Sequence, residues 1–317
     1  TGNMAEAKQG YDQLLGHPQI EQIGGIYWIV LLDRARINLD EGRKTAAEDL
    51  LKKAIEVIEK QRSSINTEAG RIGFVGDKQD AYAQLIDLLL AGDRYPEAFA
   101  YVERAKARAL VDLLASQKNI PVRGENVQQV KTNLNQLAQA ENELSVVSSD
   151  EKRDSQNQTR SVILTLKKEL QEKAPETAAL VTVQVPTTTE IQSRLKPDET
   201  LLEYYTTGKS WHVFILTPAT ITAQKLTANN LLKDIDDLRR TITFHATGTY
   251  KPYAEALYRQ LFAPIAPLIK TKKLIVVGHG PLHYLPISAL FDGKDFLIDH
   301  YSIRTLPSAS VLSFVPV

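Results

Sequence analysis

The stretch "KKLIVVGHGPLHYLPISALF", residues 272–291, decides how this chain folds. Leu274–Val277 is a short apolar, β-branched run of the kind a strand buried in a parallel sheet needs. Gly278 and Gly280 then bracket His279, and a second apolar run follows His283. A strand leading into Gly-His-Gly invites comparison with a phosphate-binding loop, but that fingerprint needs a third glycine and then a helix. Here Pro281, Leu282 and His283 follow instead. Two histidines four apart bind a metal together when a helix puts them on one face. Pro281 and the glycines oppose a helix, and no acidic or cysteine partner stands at a ligand spacing. Ser288 or Ser308 could face either histidine, yet no G-x-S-x-G elbow exposes such a serine. The remaining reading is a glycine-permitted turn at a strand's carboxyl end, capped by the histidines, with His283 bonding local backbone.

Outward from this turn, the hydrophobic period separates the chain into regions. Upstream, "TLLEYYTTGKSWHVFILTPATITAQKL" from residue 200 has period two and predicts two or three strands, with Gly208 and Pro218 at the turns. "LLKDIDDLRRTITF" and "YKPYAEALYRQLFAPIAPLIK" predict helices. Strands alternating with helices predict an α/β domain in the last third of the chain. If its sheet stops after one or two parallel strands, Leu274, Val276, Ile303 and Leu306 should be exposed, each worth roughly 1.5–3 kcal/mol of burial.

Residues 125–173 carry Val127, Val130, Leu134, Leu137 and Leu144, then, after a polar interruption, Ile163, Leu166 and Leu170. This spacing predicts two amphipathic helices folded as a hairpin. Further upstream, Ala7, Tyr11 and Leu14 share a small–large spacing with Ala47, Leu51 and Ala54 and with Ala98, Val102 and Ala105. A small residue on a helical face lets a neighbouring helix approach closely. Tyr82, Leu85, Ile86 and Leu89 form a further stripe, after which Gly92 can end a helix and Pro96 can sit in the first turn of the next. These sets resemble tetratricopeptide (TPR) repeats, although offsets of roughly 40 and 50 residues exceed the usual ~34. Residues 62–80 are the expected insertion. A generic helical bundle is the plain alternative.

Bulk properties narrow the function. The 317 residues balance 38 basic against 38 acidic side chains, which removes the positive footprint of a dedicated nucleic-acid binder. No apolar run is long enough to span a bilayer, and no secretory signal opens the chain. There is no cysteine, which excludes disulfides, thiolate metal sites and a cysteine nucleophile within these residues. With no signal, the absence of cysteine leans to the cytoplasm. The chain opens inside an expected helix, without an initiator methionine, so a fragment is expected.

Within residues 272–312, Gly280, Leu282, Leu285, Pro286, Ala289-Leu290, Phe296-Leu297-Ile298, Tyr301 and Pro307-Ser308-Ala309-Ser310 together resemble the opening of a CHAT domain. That family pairs a caspase-like module with TPR repeats. His279 stands where the family usually has an acidic residue. The segments 253–265 and 98–114 are also similar to the family's early domain and to the helix that precedes it. The resemblance implies an α/β cysteine peptidase related to caspases and separases, with a thiolate nucleophile and a histidine proton carrier. Both of those motifs lie beyond "PSAS" in the family, and "PSAS" itself suits a helix start with Ser308 or Ser310 as N-cap.

The expected architecture is therefore α plus α/β. TPR-like repeats occupy 1–120, a helical hairpin 121–180, and the N-terminal part of a CHAT domain 181–317. No catalytic, cofactor-binding or metal-ligating residue is expected in it. A protein partner is expected on the helices, and the missing half of the CHAT domain is a second candidate partner; neither nucleic acid nor membrane is expected. The leading expectation is a regulated cysteine endopeptidase whose catalytic half lies elsewhere. The alternatives are a non-catalytic scaffold and, more remotely, a hydrolase using Ser308 or Ser310.

Overall fold

The computed structural model describes residues 4–62, 78–115, 186–243 and 250–314, with scattered positions between 132 and 169. The chain forms two compact units, Thr1–Leu88 with Ala105–Gln184, and Leu89–Arg104 with Val185–Val317.

In the first unit, α1 (Met4–Leu15), α2 (Gly24–Asp40) and α3 (Lys44–Arg62) succeed one another. The α2–α3 turn works because Gly42 adopts φ +75°, the left-handed conformation that glycine adopts without a Cβ clash. This lets Arg43 N–H donate to the Asn38 carbonyl at 2.8 Å, closing the end of α2. Ala47, Leu51 and Ala54 are fully buried, as their spacing predicts, and Ala54 packs in a small core with Ile20, Tyr27 and Leu31. The first small–large set behaves otherwise. Ala7 and Leu14 are exposed, and α1 is tied to α2 by polar bonds. Tyr11 Oη donates to Asp33 at 3.0 Å, and Arg34 Nε to Asp12 at 2.6 Å.

Two further helices follow, α4 (Gln79–Leu90) and α5 (Tyr95–Ala115). The stripe Tyr82, Leu85, Ile86 and Leu89 is buried, and Pro96 sits in the first turn of α5. The left-handed residue between these helices is Asp93, at φ 56°, rather than the expected Gly92. Arg94 N–H then reaches the Leu89 carbonyl at 3.0 Å. The hairpin expected over 121–180 and the insertion expected over 62–80 lie largely outside the described residues. Among the scattered positions, Asn133 donates to Glu169 at 3.0 Å.

The second unit is built on a five-stranded sheet: β1 (Glu199–Thr206), β2 (Trp211–Leu216), β3 (Ile221–Leu226), β4 (Lys273–Val277) and β5 (Ser302–Leu306), in the order β3-β2-β1-β4-β5. The first three strands form an antiparallel meander, while β4 runs parallel to both β1 and β5. Between the meander and β4 lie α7 (Leu231–Thr243) and α8 (Lys251–Leu261). A short helix, α6 (Thr188–Ser193), precedes β1, with Thr187 and Glu190 forming a reciprocal cap.

Strand alternation sorts the core. On one face Leu202, Tyr204, Val213, Ile215, Leu274 and Val276 pack with Leu238 of α7 and with Leu257 and Leu261 of α8. On the other face, Phe214 meets Phe99 of α5 edge-to-face at 5.5 Å between ring centres. Gln192 of α6 donates to the carbonyls of Thr217 and Thr220, which tie down the β2–β3 turn. Exposure was expected at Leu274 and Val276, but they are 1% and 2% exposed because the helices cover them. Only the edge residues Ile303 and Leu306 stay half-exposed. After Phe296, Leu297–His300 forms a helical turn, α9, and β5 begins at Ser302. Among the described residues no helix is long and apolar enough to cross a membrane.

Candidate functional site

Chemistry in open α/β sheets gathers beyond the carboxyl ends of the parallel strands, where β4 delivers the two histidines. Gly278 is required there by space. A Cβ on it would stand 2.9 Å from the backbone nitrogen of His283 and 3.0 Å from the carbonyl carbon of Leu282. The chain thus doubles back onto its own strand end, aided by Gly280 at φ +53°, and Gly280–Tyr284 closes as a tight helical turn.

His279 opens that turn in extended backbone, but its side chain makes no capping bond. The ring instead packs edge-on against Tyr205 of β1, at 4.7 Å between centres, and against Trp211 of β2, at 6.4 Å. The expectation of a histidine cap is thereby corrected for His279, which acts through ring packing. His283 has a different setting. It lines an open cleft of about 580 Å³ together with Arg239 and Thr243 of α7, Tyr284, Ser288 and the β5 residues Ile303 and Thr305. Arg239 lies over the Tyr284 ring at 5.1 Å.

"PSAS" is a helix start, as its residues suggest. Ser310 N–H donates to Ser308 Oγ at 3.2 Å, and Ala309–Phe314 follows as a tight helical turn. Its anchor is distant in sequence. Glu103 of α5, fully buried, accepts from Ser308 Oγ at 2.8 Å, from Ser310 N–H at 2.6 Å, and from Ser310 Oγ, all on one carboxylate oxygen. A carboxylate at a helical N-terminus satisfies donors that the helix leaves unpaired. Ser308 and Ser310 are therefore sequestered by an acid, at 3% and 8% exposure, and are not poised beside a histidine. Ser288 is the serine that shares a cleft with His283.

The turn before β5 completes the neighbourhood. Asp292 accepts from the backbone N–H groups of Lys294 and Asp295 at 2.7 and 2.8 Å. Those bonds, first from Asp295 and then from Lys294, hold its carboxyl below the ordinary carboxylate range. His300 approaches Asp295 at 3.5 Å. Among the described residues, no group of three His, Asp or Glu side chains is arranged to hold a metal ion.

A family model described as the CHAT domain matches residues 251–316. The match runs from α8 through β4, the histidine turn and β5 to the Glu103-anchored serines. It supports a CHAT domain in this part of the chain and is consistent with a caspase-like, peptidase-related class. No curated protein matches the chain.

Proposed function

We propose that this chain joins a partner-binding, TPR-like helical region to part of a CHAT domain, and that the whole protein is a cysteine endopeptidase regulated through its helices. The CHAT match over 251–316 carries this reading. The 317 residues contain no cysteine, so a thiolate nucleophile has to be supplied from outside them, and the chain alone is catalytically silent. Partner binding is supported by Ile26 and Ile29 of α2 and by Ile23 just before it, which leave an apolar stripe exposed at 40% or more. Such stripes on helical surfaces mark interaction sites.

A second reading is favoured by one observation. Strands β1 and β4 are buried on both faces by this chain's own elements, so the sheet is complete enough to serve as a scaffold. The natural coding sequence after Val317 separates the two. A His–Gly stretch and a cysteine following an apolar strand support the peptidase, and their absence supports the scaffold. In parallel, the 317-residue protein is incubated with a fluorogenic peptide mixture, with and without a thiol-alkylating reagent. No turnover is expected. Turnover that survives alkylation and is blocked by a serine-directed fluorophosphonate would overturn the cysteine-peptidase reading in favour of serine chemistry.

A further inference from the structure

The outer edge of β5 and the cleft beside it form an interaction surface that the CHAT reading does not use. Among the described residues, β5 is bonded only to β4 in the sheet order. Ser302 N–H donates to the Lys272 carbonyl at 2.9 Å, and the parallel register pairs Ser302 with Lys273 and Arg304 with Ile275. In a parallel ladder, alternate residues turn their backbone groups to opposite sides. Ser302, Arg304 and Leu306 therefore face β4, whereas Ile303 and Thr305 turn their N–H and C=O groups to the open edge. Such a row of backbone groups is a template for another strand.

The side chains of the same two residues line the 580 Å³ cleft. Its charge is one-sided. Among the described residues, Arg239 and His283 are its ionisable lining groups besides the phenol of Tyr284, and no carboxylate lines it. Neighbouring cations are already engaged, Arg240 with Asp236 and Arg304 with Glu199. Arg239 makes no ion pair among the described residues, and its guanidinium is held in place over Tyr284. Thr243, Ser288 and Thr305 add hydroxyls, and Ile242 and Tyr284 add exposed apolar surface, 44% and 68%.

We propose that this surface binds an extended peptide segment by strand addition to β5, with an acidic side chain of the peptide received by Arg239. Backbone bonds to Ile303 and Thr305 supply sequence-independent affinity, and the cleft supplies selectivity for the acid. The cations facing the incoming carboxylate are Arg239 from α7 and, when protonated, His283 from the turn after β4.

The test uses the full 317-residue chain and a fluorescent peptide of alternating valine and threonine with one central glutamate, beside its glutamine counterpart. Fluorescence anisotropy is expected to give about tenfold tighter binding of the glutamate peptide, the worth of one charge-assisted contact. Arg239→Gln is expected to erase that preference while leaving weak binding of both peptides. Thr305→Pro removes an outward N–H that the ladder does not use, a position where a sheet edge tolerates proline. It is expected to abolish binding of both peptides with an unchanged circular dichroism spectrum. Equal binding of the two peptides, a preference that survives Arg239→Gln, or binding that survives Thr305→Pro would each overturn the proposal. Concentration-dependent dimerisation lost in Thr305→Pro, with no peptide binding by the wild type, would assign the edge to a second copy of the chain and overturn it too.

Discussion

Three donors converge on one oxygen of Glu103, and its other oxygen is buried without a hydrogen bond among the described residues. A carboxylate removed from water on such terms depends on those donors, and they depend on it. Glu103→Ala removes the acceptor of two interior hydroxyls, leaves the Ser310 N–H only its longer bond to Ser308 Oγ, and is expected to cost about 3 kcal/mol or more. Ser310→Ala keeps the N–H bond and is expected to cost about 1 kcal/mol. Urea denaturation of both variants checks the order, and equal costs would mean that the carboxylate does not organise the turn. Gly278→Ala drives a methyl group into the His283 backbone and is expected to cost about 1–3 kcal/mol, as overpacking does. A shift in urea midpoint without a change in slope would verify it. The sequence marks Gly278 as a turn residue, but the contact that requires glycine there lies within a fold the sequence does not display. Glu103 was still less legible. It lies 205 residues from Ser308, and nothing in its helical period separates it from a solvated glutamate.

At the scale of elements, what could be read from sequence was whatever local burial dictates. Leu274–Val277 is apolar on every side chain because β4 has covered neighbours on both faces, so its run announced a central parallel strand. The meander and the helices α7 and α8 followed from periods of 2 and 3.6 for the same reason. The cleft was not legible, because its lining comes from α7, the turn after β4, and β5. The division of α5 was also hidden. Its first part, to Arg104, belongs with the sheet, although its small–large spacing matches the helices before it. Tyr204 on β1 offers a test of the covered face. It is fully buried, donates to the Leu261 carbonyl at 3.2 Å, and burial pushes its phenol well above the ordinary range. The folded protein therefore keeps this proton at pH values where the unfolded chain, with a tyrosine pKa of about 10, releases it. With fewer protons on the unfolded state, stability falls as pH rises above about 10 and is unaffected by this group below that. Tyr11 and Tyr258, also raised chiefly by burial, act in the same direction. Urea midpoints between pH 8.5 and 11 are expected to decline, and Tyr204→Phe is expected to flatten the decline without removing it.

At the scale of the whole molecule, charge decides more than shape. The 38 basic and 38 acidic side chains cancel at pH 7, where the six histidines are counted as neutral. A chain with no net charge has no long-range repulsion to oppose contacts between apolar patches. Such patches exist at Ile23, Ile26 and Ile29 and at Tyr284. Histidine is the side chain that gains charge between pH 8 and 5, so acidification adds positive charge before the carboxylates titrate at about pH 4. In the alkaline direction, lysines and tyrosines do not respond until about pH 10, so little changes between pH 7 and 8.5. Self-association is therefore expected to be asymmetric in pH. Light scattering at low ionic strength should show strong attraction from pH 7 to 8.5 and growing repulsion from pH 7 down to 5.5. Salt acts on one arm alone, weakening the repulsion at pH 5.5 while leaving the apolar contacts at pH 7.5 intact. A symmetric profile, or one unchanged by salt at pH 5.5, would show that specific contacts rather than net charge govern the association, and the double variant Ile26→Glu with Ile29→Glu would then identify whether the α2 stripe supplies them.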